Sequence, residues 1–400
     1  MSVLFRDVRV IDGVADAARP HVDVLVVGER IASVTDHDPA RSVPPGTAVV
    51  EGSGRTLLPG FIDAHAHYTF DPTEGSLQAI ALRDDETILE AGRRHAAIAL
   101  EAGVTSARGA GSMRGLGIVL RDEIAAGRTP GPRLVEAGTA VGSVAGHGSA
   151  FGLEASGPEG LATITRQVIE AGADVVKVVA SEAAMLTTTG HAPGAIVNGA
   201  PELTRDEVGA VVEVARDAGR RVMSHAQDSE SVRRCVDAGV TSVEHAWLAD
   251  ETAIKHLASA GSWLVPTLVV TDVNRTLPGL TPVQRERQDL IEVTHRKSTE
   301  TAIRLGVPIA TGTDTGEVGV TPDMVWREIV LLHEHGASAI ASIKAATSSG
   351  ARLLAIDDEV GTVEVGKAAD LVLVDGDPLV DLGVLARPIG VWQRGQAVSA

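Results

Sequence analysis

The sequence predicts an α/β protein: a (β/α)₈ TIM barrel with a small β-sandwich domain built from both chain termini. Three observations lead there. The middle of the chain alternates apolar β-like runs with amphipathic helical stretches. Both ends read as strands broken by turn residues. The metal-competent side chains of the middle region fall one after another at the C-terminal ends of the β-like runs, where barrel enzymes place their chemistry.

The N-terminal segment opens with Val3-Leu-Phe-Arg-Asp-Val-Arg-Val10 and Val22-Asp-Val-Leu-Val-Val27, punctuated by Gly28 and Pro44-Pro-Gly46. The last stretch, 361–374, again alternates in the manner of strands. Residues 1–57 and 357–400 are therefore expected to pair into one domain, and 58–356 to form the barrel. Its strands are predicted at the run ending on His65 and at 104–107, 133–137, 174–179, 221–224, 240–244, 263–267 and 307–311. Helices are expected over 85–102, 114–127, 159–171, 204–219, 229–238, 250–260, 282–305 and 322–335. Thr204-Arg-Asp-Glu207 has the form of a capping box, which marks a helix start. The long 181–203 stretch after the 174–179 run is the candidate lid.

Composition narrows the function. A net charge of −18, with acidic residues dispersed, argues against a nucleic-acid or anionic-membrane partner. The single cysteine, Cys235, excludes an intrachain disulfide framework. The sequence has no long apolar run, and its N-terminus lacks the pattern of a signal peptide, so a cytoplasmic protein acting on a small molecule is expected. Aromatic residues make up only 2%. Tyr68 and Trp247, close in sequence to the candidate ligands, are the rings expected to meet a substrate.

The candidate ligands follow in chain order. His65 and His67 are two apart on a strand, so they project to one side and could hold one ion. Two chance histidines on a strand are the alternative. Lys177 lies in the apolar run Ala173-Asp-Val-Val-Lys-Val-Val179, where an ammonium is costly unless paired or altered. A carbamate formed with CO₂ would place two oxygens there, able to bridge two metals. Snorkelling to the barrel mouth, or pairing with Asp174 or Glu182, would also account for it. His225 and His245 end consecutive β-like runs and could ligate a second ion; each alone could equally be a hydrogen-bonded core histidine. Asp314 could ligate the first ion and exchange protons, or cap the next segment. The joint order of these groups, rather than any one of them, points to a metal-dependent hydrolase.

These motifs resemble the amidohydrolase superfamily, in the branch with two metals bridged by a carboxylated lysine. Pro59-Gly-Phe-Ile-Asp-Ala-His65-Ala-His67 is similar to its first-strand signature; Lys177, His225, His245 and Asp314 match its later ligands. The 361–378 stretch is similar to its return into the terminal domain. Within it, the chain looks closest to prolidase-like and imidazolonepropionase-related hydrolases. The resemblance implies two divalent ions, expected to be zinc, a hydroxide held between them, and Asp314 as proton carrier. It implies a substrate contact at His147, in the glycine-rich loop Val141-Gly-Ser-Val-Ala-Gly-His147-Gly, and a homo-oligomer. Two positions depart from the pattern. Gln227 stands where prolidase-like relatives carry a tyrosine that helps hold a substrate carboxylate. Arg108-Gly109 stands where they tend to have Arg-Asp, leaving Arg108 either a carboxylate contact or a structural arginine. The implied reaction is hydrolysis of an amide in a dipeptide or N-acyl amino acid, with neutral amides, carbamates or ureas as the alternative set. A deaminase or cyclic-imide hydrolase is a third reading; barrel deaminases usually manage with one metal and no bridging lysine, so Lys177 counts against it. A non-catalytic scaffold would not need six convergent ligands.

Overall fold

The computed structural model describes residues 2–73, 77–183 and 199–398. Five strands open the chain: β1 (Ser2–Val10), β2 (Arg19–Val27), β3 (Arg30–Asp36), β4 (Thr47–Glu51) and β5 (Arg55–Pro59). A second series follows: β6 (Phe61–Ala66), β7 (Val104–Gly109), β8 (Arg133–Glu136), β9 (Ala140–Ser143), β10 (Gly152–Ala155), β11 (Val175–Val179), β12 (Arg221–Asp228), β13 (Ser242–Leu248) and β14 (Trp263–Val265). The chain returns in β15 (Leu371–Asp375), β16 (Gly390–Gln393) and β17 (Gln396–Ala397).

The two ends meet in one mixed sheet of order β17-β16-β15-β5-β1-β2-β3, with β4 also paired to β1. The join is the antiparallel β15–β5 ladder, in which Leu371 faces Pro59 and Asp375 faces Arg55. The alternation read in the sequence buries one side of this sheet. Phe5, Val8, Val24, Ile31, Leu371 and Trp392 belong to one apolar cluster, with Phe5 edge-on to Trp392 at 4.7 Å.

The middle strands are parallel throughout, in two sheets: β6-β7-β8 and β10-β9-β11-β12-β13-β14. Their C-terminal ends therefore lie on one side. Backbone bonds connect the two sheets at both margins. On one margin the Asp174 N–H donates to the Glu136 carbonyl (2.8 Å). On the other, the 308–315 segment lies between β14 and β6: Leu264 N–H donates to Pro308 (2.9 Å), Ala64 N–H to Thr311 (2.8 Å) and His67 N–H to Thr315 (2.9 Å). The strand expected at 307–311 is therefore a segment of single bridges rather than a regular ladder. Asp63 fixes it in place, accepting from the Thr313 N–H (3.0 Å) and hydroxyl (2.6 Å), so the bonding shifts partly from backbone to side chain.

Between the strands, helices span Asp85–Glu101, Leu116–Ala125, Gly157–Glu170, Arg205–Asp217, Ser229–Ala238, Glu251–Ala260, Pro282–Arg304 and Val325–Glu334. The expected boundaries hold to within a few residues. The largest shifts are at 114–127, where a 3₁₀ turn takes Met113–Gly115, and at 322–335. The Thr204–Glu207 capping box forms with both reciprocal bonds. Short strands β9 and β10 and helices Leu268–Asn274, Ala339–Ala345 and Ser348–Leu354 were not anticipated; each is too short to show a period. Most of the candidate lid, 184–198, lies outside the described residues. Among the described residues, no helix is long and apolar enough to cross a membrane.

Candidate metal centre

The β6 strand is buried on both faces, so each polar group within it must find a partner inside the protein. His65 does so through Nδ1, 2.8 Å from Glu244 Oε2. Burial alone would push the Glu244 carboxyl up, but Arg108, His65 and Lys177 outweigh burial and bring it down to about 2. An ionised carboxylate only accepts, so His65 carries its proton on Nδ1 and leaves the Nε2 lone pair facing the cavity. That nitrogen lies 3.4 Å from Lys177 Nζ and 3.3 Å from Asp314 Oδ1. The same logic sets His67. Its Nδ1 is 2.8 Å from the Gly111 carbonyl, an acceptor only, and its Nε2 is 3.3 Å from Asp314 Oδ1. A nitrogen lone pair and a carboxylate oxygen facing each other at this distance call for a cation between them.

His225 and His245 approach from the neighbouring strands, where Val179 pairs with His225 and Ala226 with His245. Burial lowers both imidazoles well below their ordinary range, with neighbouring cationic groups adding to it for His225, so both are neutral at pH 7 and competent to bind metal. His245 Nδ1 is 2.8 Å from the Thr267 hydroxyl. His225 Nε2 is buried with no hydrogen-bond partner. A buried nitrogen without a partner costs free energy, and an ion would satisfy it. His65, His245 and Asp314 have ligand atoms within 4.8 Å of one another.

Backbone conformation helps to aim these groups. His245 (φ 73°), Ala246 (φ 52°), Thr267 (φ 55°) and Asp314 (φ 60°) all adopt the left-handed region, which is unfavourable for side chains with a Cβ. Such strain persists only where the surroundings enforce it, and it gathers at functional sites. Gly312 allows the close approach beneath: a Cβ there would lie 2.4 Å from Val265 and 2.7 Å from the Cβ of His65.

Lys177 is buried, and burial lowers its amine to about 8, against the pull of Glu244 and Asp314. Asp314 would be raised by burial, but His65, His67 and His245 hold its carboxyl well below the usual range. These groups line one cavity of about 40 Å³ with His147, Gln227 and Trp247. The His147 ring stands 4.8 Å from that of His225, and its backbone N–H donates to Glu202 (2.8 Å).

Two expected substrate contacts lie elsewhere. Arg108 is buried beneath the site, donating to the Ala64 carbonyl (2.7 Å), Ser242 (3.0 Å) and both oxygens of Glu244 (2.9 and 3.0 Å). Its guanidinium is committed to holding Glu244 and does not line the cavity. Tyr68 is packed in the apolar core. Several lining residues gave no sequence signal: Phe70, which stacks on His67 at 4.5 Å, Phe151, and Glu317, whose buried carboxyl is raised to about 8. A phenylalanine near a histidine has no pattern of its own, and Glu317 follows a turn rather than a strand. Glu244 could have been found, as a carboxylate inside the buried run Val240-Thr-Ser-Val-Glu-His245. The departure at Gly109 also has a structural reason. A Cβ there would lie 2.2 Å from the carboxylate oxygens of Glu136, which reaches from β8 into the space an aspartate would need.

Comparison with known proteins agrees with this geometry. The Amidohydrolase family model matches residues 56–398. Ochratoxinase of Aspergillus niger is 27% identical over 377 residues, covering 85% of this chain and 75% of the relative. A Xaa-Pro dipeptidase solved with methionine bound in its active site superposes with a TM-score of 0.87 at 26% identity, covering 99% of each chain. A prolidase complexed with N-methylphosphonate-L-proline gives 0.86 at 26%, again covering 99% of each. With its histidines, aspartate and lysine gathered on one cavity at the strand ends, the chain belongs to the amidohydrolase family, metal-binding enzymes that hydrolyse C–N bonds in small molecules.

Proposed function

We propose that the chain holds two divalent ions, zinc in the first instance, and hydrolyses an amide bond in a small substrate such as a dipeptide or N-acyl amino acid. The observation that carries this reading is the convergence of His65, His67, Lys177, His225, His245 and Asp314 on one cavity. His65, His67 and Asp314 would hold one ion, and His225 and His245 the other. The bound ions would supply a nucleophile from water at neutral pH and polarise the scissile carbonyl. The proposed frame is a closed (β/α)₈ barrel over 58–356, with 1–57 and 357–400 as a β-sandwich. The backbone bonds at both sheet margins and the β15–β5 ladder support it. The single buried Cys235 suits a reducing, cytoplasmic setting.

Lys177 is proposed to be carboxylated. With its amine lowered to about 8, an appreciable neutral fraction exists at physiological pH. The Nζ lone pair forms a bond to the carbon of CO₂, the nitrogen releases a proton to solvent, and an anionic carbamate results. It removes the cost of a buried ammonium and adds two oxygens between the two histidine groups. Asp314 takes the proton of the attacking water on a carboxylate oxygen and passes it to the departing amine. His147, whose ring lies 4.8 Å from that of His225, is proposed to stabilise the oxygen that gains charge.

A second reading has a specific observation behind it. Arg108 is turned away from the cavity, and among the described lining residues the one basic group besides the histidines is Lys177. A cavity lined by Gln227, with no guanidinium fork among its described residues, favours neutral amides, carbamates or ureas. Paired substrates decide between them on zinc-loaded protein incubated with bicarbonate: N-acyl amino acids and Xaa-Pro dipeptides, each as free acid and as carboxamide. Preference for the acids supports the first reading, and equal or better turnover of the amides supports the second. Absence of bound metal and of turnover on both sets would refute hydrolysis and leave a scaffold.

A further inference from the structure

A second and larger cavity, of about 1000 Å³, opens at the opposite end of the strands. Its wall includes the starts of β8, β11 and β12 and the turn between β16 and β17. In a chain of net charge −18, this lining is mainly cationic: Arg121, Arg133, Arg220, Arg221 and Arg394, with buried Arg108 behind them. Glu29, Glu101 and Asp174 are its acidic members.

The arginines divide into two kinds. Arg121 is paired with Asp174 (2.7 Å), and Arg133 with Asp370 (2.9 Å). Arg221 is held by the carbonyls of Arg352 and Leu353, both at 2.6 Å. Arg220 and Arg394 form no salt bridge among the described residues. Arg394 is nonetheless fixed in position. Its backbone is left-handed (φ 48°), its N–H donates to Asp370 (2.7 Å), and Gly395 after it bonds to the Ala369 carbonyl (3.0 Å). Apolar side chains, among them Ile124, Leu134 and Leu354, make up much of the remaining wall.

We infer that this cleft binds a small molecule bearing two anionic groups on an apolar frame, at a site separate from the hydrolytic centre. The unpaired guanidinium groups of Arg220 and Arg394 are suited to anionic oxygens, and Arg221 adds a third charge held in place. A concave wall of low dielectric concentrates that potential, and the apolar surface accepts the ligand's frame. The volume suits a metabolite rather than a macromolecule.

The test is calorimetric titration and thermal denaturation of the intact, metal-loaded protein at low salt with butane-1,4-disulfonate. Sulfonates are poor metal ligands, so they report on the cleft rather than on the metal centre. The expected result is saturable binding at one site, with a rise in Tm. Butane-1-sulfonate should bind about tenfold more weakly or worse. The Arg220→Ala/Arg394→Ala variant should lose about tenfold or more in affinity while keeping its hydrolytic turnover, because both residues are exposed and far from the chemistry. No saturable binding would overturn the inference. So would an unchanged affinity in the double variant, or binding that depends on metal loading rather than on the arginines.

Discussion

The two histidine pairs of the metal centre are held in opposite ways. His65 and His67 give their Nδ1 protons to groups that can only accept, the Glu244 carboxylate and the Gly111 carbonyl, so their tautomers are settled before anything binds. His245 has instead a hydroxyl on Thr267, which donates or accepts with equal ease, and His225 Nε2 has no partner. On the proposed two-ion reading, one half of the site is assembled by the protein and the other is left for an ion to complete, so the first ion's place is fixed in advance and the second half orders only on binding.

The most damaging change should be at the residue between the halves. Lys177→Ala is expected to lose most bound metal and to lower kcat/KM by roughly 10³-fold or more, the scale of removing a main electrostatic element of an active site. Added acetate or propionate should restore part of the turnover. Full metal occupancy with normal turnover in this variant would contradict a bridging role; metal analysis and steady-state assays settle it.

Next comes the support of the ordered half. Glu244→Gln leaves Arg108 buried without its counter-ion, which should cost about 3–5 kcal/mol of stability. Metal affinity should fall by about 10–100-fold, as when other groups that orient a ligand histidine are removed. Denaturant unfolding and metal titration read the two effects separately. Adding Arg108→Met should recover stability but not affinity; recovery of both would mean that Glu244 acts on fold alone.

The contrast between the halves then sharpens in metal-free protein. His67→Ala removes the bond to Gly111 and the stack on Phe70, and should cost about 2 kcal/mol. His225→Ala removes an unsatisfied nitrogen, so its cost should stay within about 1 kcal/mol. Equal losses in the two variants would remove the distinction drawn above.

Acid titration, compared between wild type and Glu244→Gln, isolates the Glu244 support of the ordered half. The Glu244 carboxyl lies at about 2 when folded, against an ordinary value of 4.5. The unfolded chain therefore binds more protons in between, and stability rises with pH across that window. Its contribution is complete above pH 4.5 and disappears as pH falls toward 2, at a slope of order 1 kcal/mol per pH unit. Urea unfolding of wild type and Glu244→Gln between pH 5 and 3 should show a steep acid limb in the first and a flatter one in the second. The smallest effect is expected at Gln227→Tyr, a severalfold shift of preference toward free-acid substrates, read by the paired assay.

The candidate ligands stand out in the sequence because histidines and a lysine are conspicuous in short apolar runs, and the fold brings them onto one cavity. The supports were harder to read. Arg108 sits where either face of the sheet could claim it, and only its bonds to Glu244 and Ser242 show that it lies beneath the site. The 308–315 segment has the apolar pattern of a strand, yet Thr311 and Thr313 divert its bonding into side chains. Glu136 occupies the place beside Gly109 from another strand, a substitution across space that no linear pattern contains.

The chain of contacts from Arg108 through Glu244 to His65 also bears on how such an enzyme can diversify. Among the described residues, the contacts that fix Nδ1 of the first ligand come from the strands, through Glu244 and Arg108. The loops over the mouth are free to exchange side chains, lengthen or reshape for a new substrate while the ionic centre keeps its alignment. Inheritance of the chemistry and invention of the specificity thereby fall to different parts of the same mouth, the strands below and the loops above.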